Sequence, residues 1–305
     1  MKRAVITGAT GFIGRHLIDD LLRDDWSVTA LSRNARKAAR ALPEAVTCLD
    51  WDGKSTEGWG HAVDGADAMI NLAGENVAGG RWSEGFKERI LRSRIDAGTA
   101  VRAAIAAADQ PPAVLLQASA SGFYGSRGDE RLDETSDGGE GFLADVVHQW
   151  EEVVAPVAES GVRLVYLRTG VVLGEHDGMI DKLRLPFLFF GGGHPGDGRQ
   201  WLSWIHILDE IRAMRFLLDD GTAEGIYNLV APDPVRMADF CQAFGDRLSR
   251  PSWFHQPEWL LRAVFGEMAD DTLLVSQRIA PVRLQDAGFR FQFPEIRSAL
   301  DNLLG

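Results

Sequence analysis

Gly8, Gly11 and Gly14 recur every third residue in Thr7-Gly8-Ala9-Thr10-Gly11-Phe12-Ile13-Gly14. The segment follows the apolar run Ala4-Val5-Ile6 and opens the amphipathic stretch Phe12 to Leu22. It reads as a strand, a tight turn and a helix start. Gly8 permits the unusual dihedrals of such a turn. Gly11 has no side chain to hold an anion away from the backbone, and Gly14 lets the helix pack closely on the sheet. The helix N-terminus adds free N–H groups and a partial positive charge. Together these features suit the pyrophosphate of a dinucleotide; the competing reading is a glycine-rich turn without a ligand.

The end of the second apolar run discriminates between dinucleotides. An acid there would hold the ribose hydroxyls of NAD. The chain instead has Ser32-Arg33-Asn34, with Arg36 and Lys37 close behind. A guanidinium suits a 2′-phosphate and gains nothing comparable from a bare hydroxyl. The expectation is NADP(H) over NAD(H), against the alternative that Arg33 is simply solvated.

Groups able to act on a substrate are fewer. Ser119 and Ser121 follow the fifth apolar run, and Tyr124 is the only tyrosine near them. An unassisted phenol titrates near 10 and is a poor base at pH 7. Tyr124 would polarise a carbonyl by hydrogen bonding, or it is a packing aromatic. Glu75 reads as a ribose contact or a solvated carboxylate. His148 and His206 read as satisfied or surface histidines, with catalysis the alternative. Arg127, Arg131, Lys182, Arg184 and Arg199 lie in loop-rich stretches that would meet an anionic substrate, or are ordinary surface charges. Trp201 and Trp204 are a stacking floor or core, and Gly191 to Gly198 a lid.

These residues need a scaffold. Ala4–Ile6, Val28–Leu31, Val46–Leu49, Ala68–Leu72, Val114–Leu116 and Val162–Leu167 are continuous rather than alternating apolar runs, as expected of parallel strands covered on both faces. Between the fourth and fifth, Trp82 to Ala108 carries one apolar stripe of a long helix,. This order predicts an α/β fold: a doubly wound, parallel-sheet Rossmann domain. Past Gly174 the rhythm changes; Met237 to Leu248 and Pro257 to Phe265 read as helices of a mostly helical lobe. The expected division is 1–235, with substrate-lobe loops from about 175, and 236–305.

Composition narrows the partners. Of 305 residues, 32 are Lys or Arg and 44 Asp or Glu, a net charge of −12. That argues against nucleic-acid and anionic-membrane surfaces. Nowhere do 18 apolar residues run together, so no membrane span is expected. Cys48 and Cys241 are expected to be buried thiols in a reducing cytoplasm, with neither a disulfide nor a metal site. The expected assembly is a monomer or homodimer.

Taken together, these stretches resemble the extended short-chain dehydrogenase/reductases, the NAD(P)-dependent epimerases and dehydratases. Asn71-Leu72-Ala73-Gly74-Glu75-Asn76, Ser119-Ala120-Ser121-Gly122-Phe123-Tyr124-Gly125, Arg168-Thr169-Gly170-Val171-Val172-Leu173-Gly174 and Gln200-Trp201-Leu202-Ser203-Trp204-Ile205-His206 are similar to an atypical branch labelled sugar-nucleotide epimerase or cell-division inhibitor. The resemblance covers nearly the whole chain. It implies that Gly8, Thr10, Gly11, Phe12 and Ile13 hold the pyrophosphate, and that Ser32 and Arg33 hold the 2′-phosphate. Asp50 and Trp51 would flank the adenine. Leu72, Ala73, Gly74, Glu75 and Ala118 would line the cofactor path, and Val171 would approach the nicotinamide. The superfamily's catalytic pair, a Tyr with a Lys four residues later, is missing: Gly128, Gly170 and Ala231 stand four residues after Tyr124, Tyr166 and Tyr227. Ser119 and Tyr124 are the remaining catalytic candidates. The expected function is an NADP-dependent oxidoreductase or epimerase on a small polar carbonyl or nucleotide-sugar-like substrate, or else a non-catalytic NADPH sensor.

Overall fold

A computed structural model describes residues 1–305. Seven strands form the main sheet: β1 (Arg3–Thr7), β2 (Ser27–Ser32), β3 (Thr47–Asp50), β4 (Ala68–Asn71), β5 (Val114–Ala120), β6 (Arg163–Thr169) and β7 (Gly225–Leu229). Their order is β7-β6-β5-β4-β1-β2-β3, and every neighbouring pair is parallel. The chain leaves β1 towards β2 on one side and later returns to β4 on the other. A crevice therefore opens between β1 and β4 at their C-terminal ends, where sheets of this kind bind ligands.

Ten helices accompany the sheet: α1 (Phe12–Arg23), α2 (Ala35–Ala41), α3 (Glu84–Ala107), α4 (Phe142–Val154), α5 (Gly178–Leu188), α6 (Ile207–Asp219), α7 (Met237–Leu248), α8 (Glu258–Phe265), α9 (Val282–Asp286) and α10 (Ile296–Leu304). The continuous apolar runs are explained by burial on both sheet faces. Ala4 and Ile6 of β1, with Ile70 of β4 and Leu116 of β5, pack against Leu17 and Leu21 of α1 and Met214 and Leu217 of α6. Val5, Met69 and Leu115, one residue out of phase, pack against Ala97, Val101 and Ile105 of α3 and Val154 of α4. Alternate residues of a strand point to opposite faces, so both sets must be apolar. A third core joins Phe187 of α5, Trp204, Phe240 and Phe244 of α7, and Leu300 of α10.

Three features depart from expectation. β7 and α6 lie in stretches where the sequence suggested neither element. Asn228 interrupts the short β7 run, and Asp209 and Glu210 are fully buried in α6; polar residues inside these elements hide their apolar periodicity. Lys182 and Arg184 are exposed on α5 rather than in a loop. Cys241 is buried but Cys48 is only half-buried. No helix is long and apolar enough to cross a membrane.

Candidate active site

The glycine turn sits at the mouth of the β1/β4 crevice. Gly8 has φ +64°, and a Cβ there would lie 2.4 Å from the Leu72 carbonyl oxygen at the end of β4. Gly14 is equally closed, since its Cβ would lie 2.6 Å from the Gly8 oxygen. Gly11 is the N-cap of α1, and no side chain caps that helix. The first-turn N–H groups have no intrahelical acceptors, so they remain available to an anion. The turn therefore fits a pyrophosphate.

A buried polar chain fixes this crevice. Thr7 Oγ1 donates to Asn71 Oδ1 (2.6 Å) and accepts from the backbone N–H of Leu72 (3.0 Å) and Ala73 (3.1 Å). Asn71 Nδ2 donates to Gln117 Oε1 (2.8 Å), and Gln117 Nε2 donates to the carbonyl of Ala118. The ends of β1, β4 and β5 are thus tied together. Leu72, Ala73 and Ala118 are half-buried beside the tie, and Gly74 is exposed. The backbone N–H of Glu75 donates to Ser93 Oγ, and its carbonyl accepts from Arg94. Burial pulls the Arg94 guanidinium down to about 10.

At the far end of β2, Ser32 Oγ accepts from the Asn34 N–H. Arg33 is exposed and enters no ion pair. Asp50 Oδ1 accepts from the Ala35 N–H at 2.7 Å, at the start of α2. Trp51 is buried and packed edge-on against Trp59, with its indole N–H donating to the Ser55 carbonyl. Val171 is half-buried, and its N–H donates to the Ser203 carbonyl. Gly174 lies against the Phe12 ring, where a Cβ would come within 2.3 Å. The strand after β6 is thereby brought to the glycine turn.

The catalytic candidates have a different setting from the one expected. Ser119 Oγ donates to Glu151 Oε1 at 2.5 Å. Arg168 holds the same carboxylate with two 2.8 Å bonds. Tyr124 is fully buried; its hydroxyl donates to Asn228 Oδ1 (2.8 Å) and accepts from Arg168 Nη1 (3.2 Å). Burial raises the Tyr124 phenol further above its ordinary value. Burial also pulls the Arg168 guanidinium down, but Glu151 and Tyr124 more than offset it and leave it raised. Tyr124 is therefore not free to polarise a substrate oxygen in this arrangement, and it positions Arg168 instead. Sequence reasoning assigned no role to Glu151, Arg168 or Asn228, although Arg168 opens one of the stretches that carry the resemblance. The available signal was a charged or amide group inside an apolar strand, as in Leu164-Val165-Tyr166-Leu167-Arg168.

The remaining candidates do not converge on the crevice. His206 Nδ1 accepts from the Leu208 N–H and caps α6, which leaves Nε2 to donate to Asn302 Oδ1. Its ring stacks on Phe293, and burial lowers its pKa. His148 is exposed, with its ring 4.4 Å from that of Phe123. Trp204 is core, whereas Trp201 is half-buried beneath two arginines. Arg127 is paired with Glu130.

Comparisons with known proteins agree with this geometry. The NAD dependent epimerase/dehydratase family matches residues 4–229, and a domain of unknown function (DUF1731) matches residues 256–303. The chain is 40% identical over 295 residues to epimerase family protein Mb2239 of Mycobacterium bovis, spanning 97% of this chain and 95% of that protein. It is 38% identical over 305 residues to epimerase family protein YfhF of Bacillus subtilis, spanning 98% and 97%. It superposes on human epimerase family protein SDR39U1 (isoform 2), solved with NADPH, with a TM-score of 0.90 and 32% identity over 99% of each chain.

Proposed function

The chain belongs to the NAD dependent epimerase/dehydratase family, and from that membership we propose that it is an NADP(H)-dependent oxidoreductase or epimerase. Its substrate would be a small polar carbonyl or nucleotide-sugar-like compound. The observation that carries the cofactor choice is Arg33, an exposed and unpaired guanidinium at the C-terminal end of β2. The likeness to a human protein solved with NADPH supports the same choice. We assign residues 1–235 to the cofactor unit, with loops from about 175 facing the substrate, and 236–305 to the small lobe.

Gly8, Thr10, Gly11, Phe12 and Ile13 would hold the pyrophosphate, and Ser32 and Arg33 the 2′-phosphate. Asp50 and Trp51 would flank the adenine. Leu72, Ala73, Gly74, Glu75 and Ala118 would line the path to Val171. The bound nicotinamide supplies hydride chemistry. Ser119 would donate to a substrate oxygen by giving up the hydrogen bond that it makes to Glu151 Oε1 in the resting state. Arg168, Tyr124 and Asn228 keep that carboxylate in place.

A second reading, a non-catalytic NADPH sensor, is favoured by one observation: the Ser119 and Tyr124 hydroxyls are already engaged inside the protein. Titration with NADPH and NADH, read by tryptophan fluorescence, tests the shared cofactor premise. Arg33→Glu should weaken NADPH binding about 10- to 150-fold, the contribution of one charge-assisted bond, and leave NADH binding unchanged. An unaltered NADPH/NADH ratio overturns the assignment. A substrate-dependent change in nicotinamide absorbance across a carbonyl panel separates enzyme from sensor.

A further inference from the structure

Arg131 and Arg278 are register partners in a two-residue parallel ribbon, followed by Leu132 and Ile279. Leu132 and Ile279 point into the core with Tyr124. By strand alternation, both arginines project from the opposite face. Like charges directly opposed across strands are destabilising, and Asp129, whose charge reaches Arg278, is already committed to Arg236. Neither guanidinium enters an ion pair. The neighbouring Asp129 is bound to Arg236 (2.7 Å) and to the Trp201 indole N–H (2.9 Å), and Glu130 to Arg127. Arg236 lies over the Trp201 ring at 4.0 Å and Arg278 at 4.6 Å, so the aromatic holds both in place.

These groups border a cavity of about 220 Å³, lined by Arg131, Arg278, Trp201 and the Pro232-Asp233-Pro234 turn. It shares no residue with the proposed cofactor groove, and it is too small for a dinucleotide. On a chain of net charge −12, two guanidiniums outside ion pairs that line one cavity suit a small anion. We propose that this cavity binds a small phosphomonoester, with its phosphate on Arg131 and Arg278 and a hydroxyl of its organic part towards Asp233. Planar guanidiniums match phosphate oxygens bidentately. Asp233, which lines the same cavity, disfavours a second anionic group, which selects against diphosphates.

Calorimetric titration of the whole chain with inorganic phosphate and with glycerol 3-phosphate, at constant ionic strength, tests this. Glycerol is the uncharged control. Saturable binding of both phosphates is expected. Arg278→Gln and Arg131→Gln should each weaken it about tenfold or more. Arg131 is exposed, so its variant should fold normally. Arg33→Glu should leave phosphate binding unchanged, which separates this cavity from the 2′-phosphate contacts. Absent phosphate binding, binding indifferent to both substitutions, or binding lost in Arg33→Glu would each overturn the proposal.

Discussion

Arg168 grips Glu151 at both carboxylate oxygens, Nε to Oε1 and Nη2 to Oε2, each at 2.8 Å. Their side chains are only 2% and 12% exposed. Removing one partner of a buried pair strands the other charge, at a cost of about 3–5 kcal/mol. Glu151→Gln and Arg168→Met should each lower stability by that order in urea unfolding. The double variant Glu151→Leu/Arg168→Met should recover much of the loss, because no charge is left unpaired. Additive losses would show that the two residues act independently.

The position of this pair explains what was and was not legible in the sequence. The glycine turn and six of the seven strands could be read because backbone geometry and two-sided burial leave local signatures. The polar network could not, because Ser119, Glu151 and Arg168, with Asn228 joined through the Tyr124 hydroxyl, are brought together from β5, α4, β6 and β7 across long sequence separations. Tyr124 was recognisable as unusual, but its burial depends on β7, whose short run carries Asn228 and gave little sign of a strand. The exposure of Arg33 agrees with its place just past a strand end, where local sequence alone sets the side-chain chemistry.

Tyr124→Phe keeps the ring and removes the hydroxyl. Asn228 Oδ1 loses its donor and Arg168 Nη1 its acceptor. Stranding buried partners costs about 1–3 kcal/mol. The expected outcome is that loss of stability with NADPH affinity held within about twofold. A large loss of NADPH affinity with unchanged unfolding would instead place the hydroxyl in the cofactor site.

Gly8 and Gly11 should separate folding from binding. A Cβ on Gly8 meets the Leu72 carbonyl at 2.4 Å in a left-handed backbone, whereas on Gly11 the nearest atom is the Gly8 oxygen at 3.1 Å. Gly8→Ala should cost about 2 kcal/mol or more, since strain and a backbone clash act together. Gly11→Ala should fold nearly as well but bind NADPH weakly, because its methyl group occupies phosphate space. Thermal melts with and without NADPH measure both, since a ligand of the folded state raises the melting temperature. Equal NADPH-induced shifts in wild type and Gly11→Ala would remove Gly11 from the site.

Glu210 supplies a pH test. It is fully buried in α6, with Thr169 Oγ1 donating to Oε1 at 2.9 Å and Oε2 unpartnered. Burial pushes its carboxyl up from 4.5 to about 8. The folded state therefore binds one proton more than the unfolded state between those values. Stability falls wherever the folded state binds more protons. The contribution is full below pH 4.5, declines as pH rises through neutrality, and is lost once pH passes 8. Glu210→Gln has no proton to lose, so its stability advantage over wild type should be absent near pH 4.5. It should grow to about 3 kcal/mol by pH 7, at about 1.4 kcal/mol per pH unit, and level off above 8. Urea midpoints for both proteins from pH 5 to 9 measure the difference. A constant difference across that range would mean that Glu210 is already ionised in the folded protein.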